Sequence, residues 1–174
     1  NGLTFDSTGA EANGGKQRFQ GAEIEARYAL AGALALAGNA SYHDARFRRF
    51  TQDDGSMLDG NRLETAPYTL AGLGLVYAPP RGFNASVTGN YTGPRQLNNP
   101  NTLPAGGYTT LDAGLGWRFG QIALSVNGYN LTDRRDPVSA SELSEVATNH
   151  DGVNTIGYYR LPARSVMAGI SLDL

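Results

Sequence analysis

Cysteine is absent from the 174 residues, so the chain has neither a disulfide framework nor a thiolate metal site. No run of about 18 apolar residues occurs, which excludes a membrane-spanning helix. A membrane barrel stays open, because its strands are apolar on one side only and average out as polar. Mean hydropathy is −0.34 with 40% hydrophobic residues, which fits such averaging. Charge of neither sign accumulates: a net charge of −2 provides no global basic field to recruit nucleic acid. Histidine is limited to His43 and His150, with no spacing to carboxylates that would make a metal site. Asp53-Asp54-Gly55-Ser56 has too few ligands, wrongly spaced, for a calcium loop. Neither a Gly-x-Ser-x-Gly elbow nor a phosphate loop is present. His43 and Ser41 on one face are the only hint of a hydrolytic pair, and no acid joins them. The expectation is therefore a non-enzyme without catalytic residues, metal or cofactor.

Glycine, by contrast, is abundant at 23 residues, roughly twice the usual share. The other positive signal is alternation. Over Tyr108–Phe119, Thr109, Leu111, Ala113, Leu115, Trp117 and Phe119 point one way, and Thr110, Asp112, Gly114, Gly116 and Arg118 the other. After a break at Gly120-Gln121, Ile122, Leu124, Val126 and Gly128 alternate with Ala123, Ser125, Asn127 and Tyr129. Val166, Ala168, Ile170, Leu172 and Leu174 repeat the period at the end. Upstream, strands are predicted over Gln17–Leu30, Ala33–Phe47, Thr69–Tyr77 and Phe83–Tyr91, with Gly2–Asp6 as part of another. Ala and Leu in Tyr28–Gly38 favour helix, but two glycines and the flanking alternation favour a hairpin.

The chain thus reads as all-β, with about seven complete strands and a partial one. Connections alternate in length: short at 31–32, 78–82 and 120–121, long at 7–16, 48–64, 94–106 and 132–157. Short turns on one side and long loops on the other are the rhythm of an antiparallel transmembrane β-barrel, with periplasmic turns and extracellular loops. Phe83 and Tyr91 share a face eight residues apart. At about 3.3 Å per residue and a tilt near 40°, they stand roughly 20 Å apart along the normal. That suits aromatic girdles flanking an apolar band about 25 Å tall. Tyr28, Tyr77, Phe83, Trp117 and Phe119 would line the short-turn rim, and Tyr42 and Tyr91 the long-loop rim. The alternative is a soluble sandwich with these aromatics packed between two layers.

Four stretches resemble the TonB-dependent outer-membrane receptors. Val126-Asn127-Gly128-Tyr129-Asn130-Leu131-Thr132-Asp133-Arg134 is similar to the penultimate strand and its Asn-Leu-x-Asp-Lys/Arg signature. Tyr158–Ser165 resembles the Pro-Gly-Arg lead-in to the last strand, and Gln20–Glu25 the Gly-x-Glu-x-Glu strand. Asp59-Gly60-Asn61-Arg62-Leu63 with Ala66-Pro67 resembles a Gly-x-x-Leu…Ala-Pro lead-in. Asp136 stands where an aromatic is common, Ala163 replaces Gly, and Leu174 stands where such proteins usually end in Phe. The resemblance implies that residues 1–174 are the C-terminal segment of a plugged barrel of 22 strands in the Gram-negative outer membrane, with the plug absent. It further implies energy-coupled uptake of a metal chelate such as a ferric siderophore, or a similar nutrient. The implied partners are outer-membrane lipid, the rest of the barrel and its plug, the ligand, and TonB through a missing N-terminal region. The alternative function is structural or adhesive: an independent eight-stranded barrel.

Candidate contact residues follow. Arg46, Arg48 and Arg49 form a basic cluster at a loop base, suited to carboxylate or catecholate oxygens, or to lipopolysaccharide phosphates. Tyr158 and Tyr159, at the mouth of the last strand, are candidates for stacking on an aromatic ligand. Glu23, Glu25, Arg27, His43, Asp112 and Arg118 fall on the polar face and are expected to line a wet lumen, as a cross-strand charge network.

Overall fold

A computed structural model describes residues 2–5, 11–52, 55–142 and 156–172. His150, Asp53, Asp54 and Leu174 lie outside the described residues. The described chain is built from strands and the turns and loops that join them. In order these are β1 (Gly2–Phe5), β2 (Glu11–Ala31), β3 (Leu34–Phe50), β4 (Thr69–Tyr77), β5 (Gly82–Thr92), β6 (Arg95–Gln96), β7 (Pro104–Ala105), β8 (Tyr108–Phe119), β9 (Ile122–Tyr129), β10 (Pro137–Glu142), β11 (Ile156–Arg160) and β12 (Ser165–Leu172). Eight of them make one up-and-down antiparallel sheet in the order β1-β2-β3-β4-β5-β8-β9-β12. Strands β1 and β12 are its two edges and do not pair with each other. The other four form two-stranded pairs, β6 with β7 and β10 with β11, inside the long connections.

Two boundaries differ from the sequence reading by more than one residue. Strand β2 begins at Glu11 rather than Gln17, and β3 runs to Phe50 rather than Phe47. The two strands continue pairing beyond the apolar band, from Lys16↔Arg49 to Gly15↔Phe50, after a bulge between Lys16 and Gln17. Polar residues there carry no alternation, so the ladder is invisible in the sequence. The Ala/Leu-rich segment is a hairpin, with its turn at Gly32-Ala33. At the β8–β9 turn Gly120 adopts φ +57, a region that costs any residue with a Cβ.

Register is what joins the separate alternations into one surface. Tyr28 pairs with Leu36, Leu36 with Leu75, Leu75 with Val87, and Val87 with Ala113. Further on, Leu115 pairs with Val126, Val126 with Ala168, and Leu124 with Ile170. Every apolar set therefore falls on the same side of the sheet. Phe83 sits opposite Trp117, and Tyr77, Phe83 and Trp117 form a chain with ring centroids 6.4 and 6.2 Å apart at the short-turn rim. Tyr42 and Tyr91 stand toward the other rim, where the long loops are.

Among the described residues no second layer covers this face. Ile170 is 75% exposed and Leu73 60%, while the buried apolar residues (Ala45, Phe47, Leu58, Leu97 and Ala105) all lie at the long-loop end. Leaving a large apolar side chain in water forfeits roughly 1.5–3 kcal/mol, so a whole face of them requires hydrocarbon contact. The sandwich alternative fails on this point. On the reverse face Asn84, Ser86, Thr88 and Asn90 of β5 meet Gly116, Gly114, Asp112 and Thr110 of β8, a surface suited to water.

Candidate functional site

Among the described residues of the long connections, three arginines and three asparagines make the holding contacts. The loop after β3 folds back along that strand: the Leu63 amide donates to Ala45 O at 3.0 Å and Phe47 N to Asn61 O at 2.9 Å. This brings Arg62 beside Arg46 and buries it to 2% exposure. Its guanidinium donates to Asp44 Oδ1 (3.3 Å) and His43 O (2.8 Å), and stacks 3.4 Å above the Tyr68 ring. Asn101 then clamps the next loop onto it, accepting from Arg62 N at 2.7 Å and donating to Arg62 O at 2.8 Å. Asn61 Nδ2 to Asn99 O and Thr65 N to Gln96 O extend the seam. Arg95, also buried, packs over Tyr108 and donates to Pro137 O, which ties in the third loop.

That third loop begins with a second clip. Asn130 N donates to Asp112 Oδ1 at 2.7 Å, and the Asn130 side chain donates to Arg134 O (2.9 Å) and Pro162 O (2.8 Å). Asp133 Oδ1 accepts from Arg164 N at 3.0 Å and from Arg135 Nε at 3.1 Å. The Arg164 amide first, and the Arg135 side chain second, hold the Asp133 carboxyl below its usual range. Asp136, at the position where an aromatic was expected, forms a two-point pair with Arg134 at 2.8 Å, and that carboxylate raises the guanidinium's affinity for its proton. Asn130 and Asp133 both sit at positive φ, which their short polar side chains tolerate. The Asn-Leu-Thr-Asp-Arg run is thus a fastener between β9 and the start of β12.

The residues singled out from the sequence separate into several places. Glu23, Glu25 and Arg27 are exposed on the polar face, opposite Ser41, Asn39 and Ala37. Their cross-strand neighbours on β3 are uncharged, so no ion pair links the two strands there. His43 lies opposite Gly21 with a ring nitrogen 2.8 Å from Ser41 Oγ, while the adjacent Asp44 points to the other face. Asp112 is satisfied by the Asn130 amide and by Asn90 Nδ2 at 3.1 Å. Arg118 lies toward the short-turn rim, opposite Gly82 and Ala123. Arg46 is turned to Asp44 (2.6 Å) and Gly60 O (3.0 Å), and Arg48 and Arg49 are exposed beside the bulge.

Tyr158 and Tyr159, expected at the mouth of the last strand, lie on β11, paired with β10. Alternation sends them to opposite faces. Tyr158 and Arg160 line a cavity of about 360 Å³ with Leu97, Leu103, Pro104 and Pro137, while Tyr159 stands 63% exposed on the other side. Sequence reasoning missed Arg160, Arg62, Arg95 and Asn101. The signal for Arg160 was its spacing of two from Tyr158; a lone Arg or Asn in a polar loop carries none.

Comparison with known proteins places this architecture. Residues 1–131 match the family described as TonB dependent receptor-like, beta-barrel. The chain is 31% identical over 147 residues to the ferrichrome outer membrane transporter/phage receptor of Escherichia coli K12, covering 77% of this chain and 19% of that protein. It is 32% identical over 114 residues to the ferrioxamine receptor of Yersinia enterocolitica, covering 66% of this chain and 16% of that one. Among solved structures, the ferric yersiniabactin uptake receptor of Yersinia pestis superposes with a TM-score of 0.76 at 25% identity, over 95% of this chain and 25% of that one. The chain therefore spans about a fifth of the length of the curated relatives it matches.

Proposed function

Because the chain belongs to the TonB-dependent receptor β-barrel family, whose members sit in the outer membrane, we propose that it serves energy-coupled uptake of a metal chelate, a ferric siderophore or similar nutrient. It contributes a section of barrel wall and the extracellular loops that join its strands. In this reading residues 1–174 are the C-terminal barrel segment. Plug and remaining strands lie elsewhere in the encoded chain, and TonB engages a region outside these residues. The observation that carries the proposal is the division of the sheet: an uncharged face continuous across the strands, a polar face behind it, and arginine-clamped loops gathered at one rim.

The ligand-contact role goes to the cavity at the loops. Tyr158 offers a stacking surface and Arg160 a planar cation for carboxylate or catecholate oxygens. Tyr159 and the exposed Arg48 and Arg49 are outlying contacts for a larger chelate. Glu23, Glu25, Arg27, His43, Asp112 and Arg118 line the path behind the sheet. The wall itself does no chemistry, and the named relatives are transporters and receptors.

The test is uptake of iron-55 chelates by cells carrying the full encoded gene, its deletion, and a Tyr158→Ala/Arg160→Gln variant. Deletion should abolish uptake of at least one chelate, and the variant should weaken uptake at least tenfold at normal surface levels. Unchanged uptake of every chelate on deletion would overturn the transport reading.

A further inference from the structure

Two cavities meet at the loop rim, divided by one apolar rib. Leu97 N donates to Leu103 O at 2.8 Å, and both residues line both cavities. The first cavity, of about 360 Å³, carries Tyr158 and Arg160. The second, of about 390 Å³, carries Glu64, Gln52 and Asn98. The β10–β11 hairpin contributes to both, because Ala140 of the second is paired directly with Tyr158 of the first. Residues paired in this way stand about 5 Å apart, so the two spaces abut.

Their charges are opposite. Arg160 Nη1 approaches Arg135 O at 3.4 Å and meets no carboxylate among the described residues. At the Pro137 wall of the same cavity, buried Arg95 donates to Pro137 O, and its Nη1 has no partner among the described residues. Two guanidinium groups thus make the first cavity electropositive. In the second, the Asn98 side chain is taken up by Thr102 and Leu103, and Gln52 Oε1 accepts from Ser56 Oγ. Glu64 is exposed, has no partner among the described residues, and is the one charged residue of that lining. An ion pair between Glu64 and Arg160 would cancel both charges, and the Leu97–Leu103 rib stands between them.

We propose that the cargo is a chelate with one zwitterionic arm. An aromatic or apolar body bearing an acidic oxygen enters the first cavity, and a protonated amine reaches Glu64 in the second. The inference rests on the transport reading of this rim and narrows its cargo. A planar guanidinium suits the acidic oxygens. An ammonium group, with three donors and no acceptor, suits a free carboxylate set among amides. A chelate with acidic groups alone would bring like charge to Glu64, and a neutral one would leave Arg95 and Arg160 unanswered. Both are disfavoured by what they fail to pair, which is how such a site discriminates.

The experiment measures equilibrium binding of two ferric probes to the full encoded receptor in detergent at neutral pH. They are the ferric complexes of Nα-dihydroxybenzoyl-lysine, whose side-chain amine is protonated, and of its Nε-acetyl derivative. Acetylation should weaken binding at least tenfold in the wild type and less than twofold in Glu64→Gln. Glu64→Lys should reverse the order and favour the Nε-succinyl derivative over the free amine. Glu64 is exposed and without a partner among the described residues, so neither substitution disturbs the fold. An acetylation penalty below tenfold in the wild type, a penalty retained in Glu64→Gln, an unreversed order in Glu64→Lys, or no binding of either probe overturns the proposal. The transport reading fails separately, on unchanged uptake of every chelate when the gene is deleted.

Discussion

Replacing Arg62 by Met should loosen the extracellular loops without touching the barrel. The native side chain makes two charge-assisted hydrogen bonds, to Asp44 and His43 O, worth about 1.5–3 kcal/mol each. Stacking on Tyr68 adds about 0.5–2 kcal/mol. Against these stands buried Arg62 Nε, which has no partner among the described residues and costs about 1–3 kcal/mol. Methionine keeps most of the volume, and Asp44 keeps Arg18 and Arg46, so no carboxylate is stranded. The net loss is about 3 kcal/mol, or about a hundredfold in a local opening equilibrium. Hydrogen exchange reads this directly at Leu63, which donates to Ala45 O, and at Thr65, which donates to Gln96 O. Both amides should exchange about a hundred times faster, while Val87 within the sheet should not change. A change below about threefold at Leu63 and Thr65 would show that the guanidinium does not hold the loops.

Three further outcomes are expected. Gly21→Ala places a Cβ 2.2 Å from the Tyr42 carbonyl oxygen, a backbone clash costing about 1–3 kcal/mol and visible as reduced heat-modifiable migration. Gly89→Ala, with open space around it, should be neutral. Val87→Arg lies midway between Phe83 and Tyr91 on the lipid side and should destabilise by about 2–4 kcal/mol in liposome unfolding, whereas Ser86→Arg on the polar side should not. Asp133, with its carboxyl pKa lowered on folding, stabilises its turn fully above the unfolded value of about 4. That contribution disappears as pH falls further through the folded value. Proteolysis at 132–136 should therefore rise in acid below pH 4, and Asp133→Asn should remove this pH dependence.

The membrane-spanning part was legible because alternation is a local property and register merely adds it up. Phe83–Tyr91 and Tyr108–Phe119 each divide apolar from polar without help, and the pairing of Val87 with Leu75 and Ala113 adds no new information about sides. Beyond Tyr42 the alternation stops being apolar against polar, and Glu11–Lys16 and Arg48–Phe50 looked like loop although they pair. The loops were opaque for a different reason. Arg62 meets Asp44 18 residues away and Asn101 39 residues away. Only the folded-back course of the chain along β3 brings these together, and no spacing encodes it.

Arg46 shows how the two kinds of information combine. Taken as one of three neighbouring arginines it suits ligand oxygens and lipopolysaccharide phosphates alike, because composition has no sidedness. Counted in steps of two from Tyr42, it lies on the lipid side, and its partner Arg18 acquires the same sidedness through the ladder. Tyr158 and Tyr159 divide by the same rule, one toward the cavity with Arg160 and one away. Parity measured from an aromatic girdle therefore assigns a side of the sheet to each rim residue of β2 and β3. The sorting needs only an unshifted register between belt and rim, which β2 and β3 maintain from Ala22↔Tyr42 to Arg18↔Arg46.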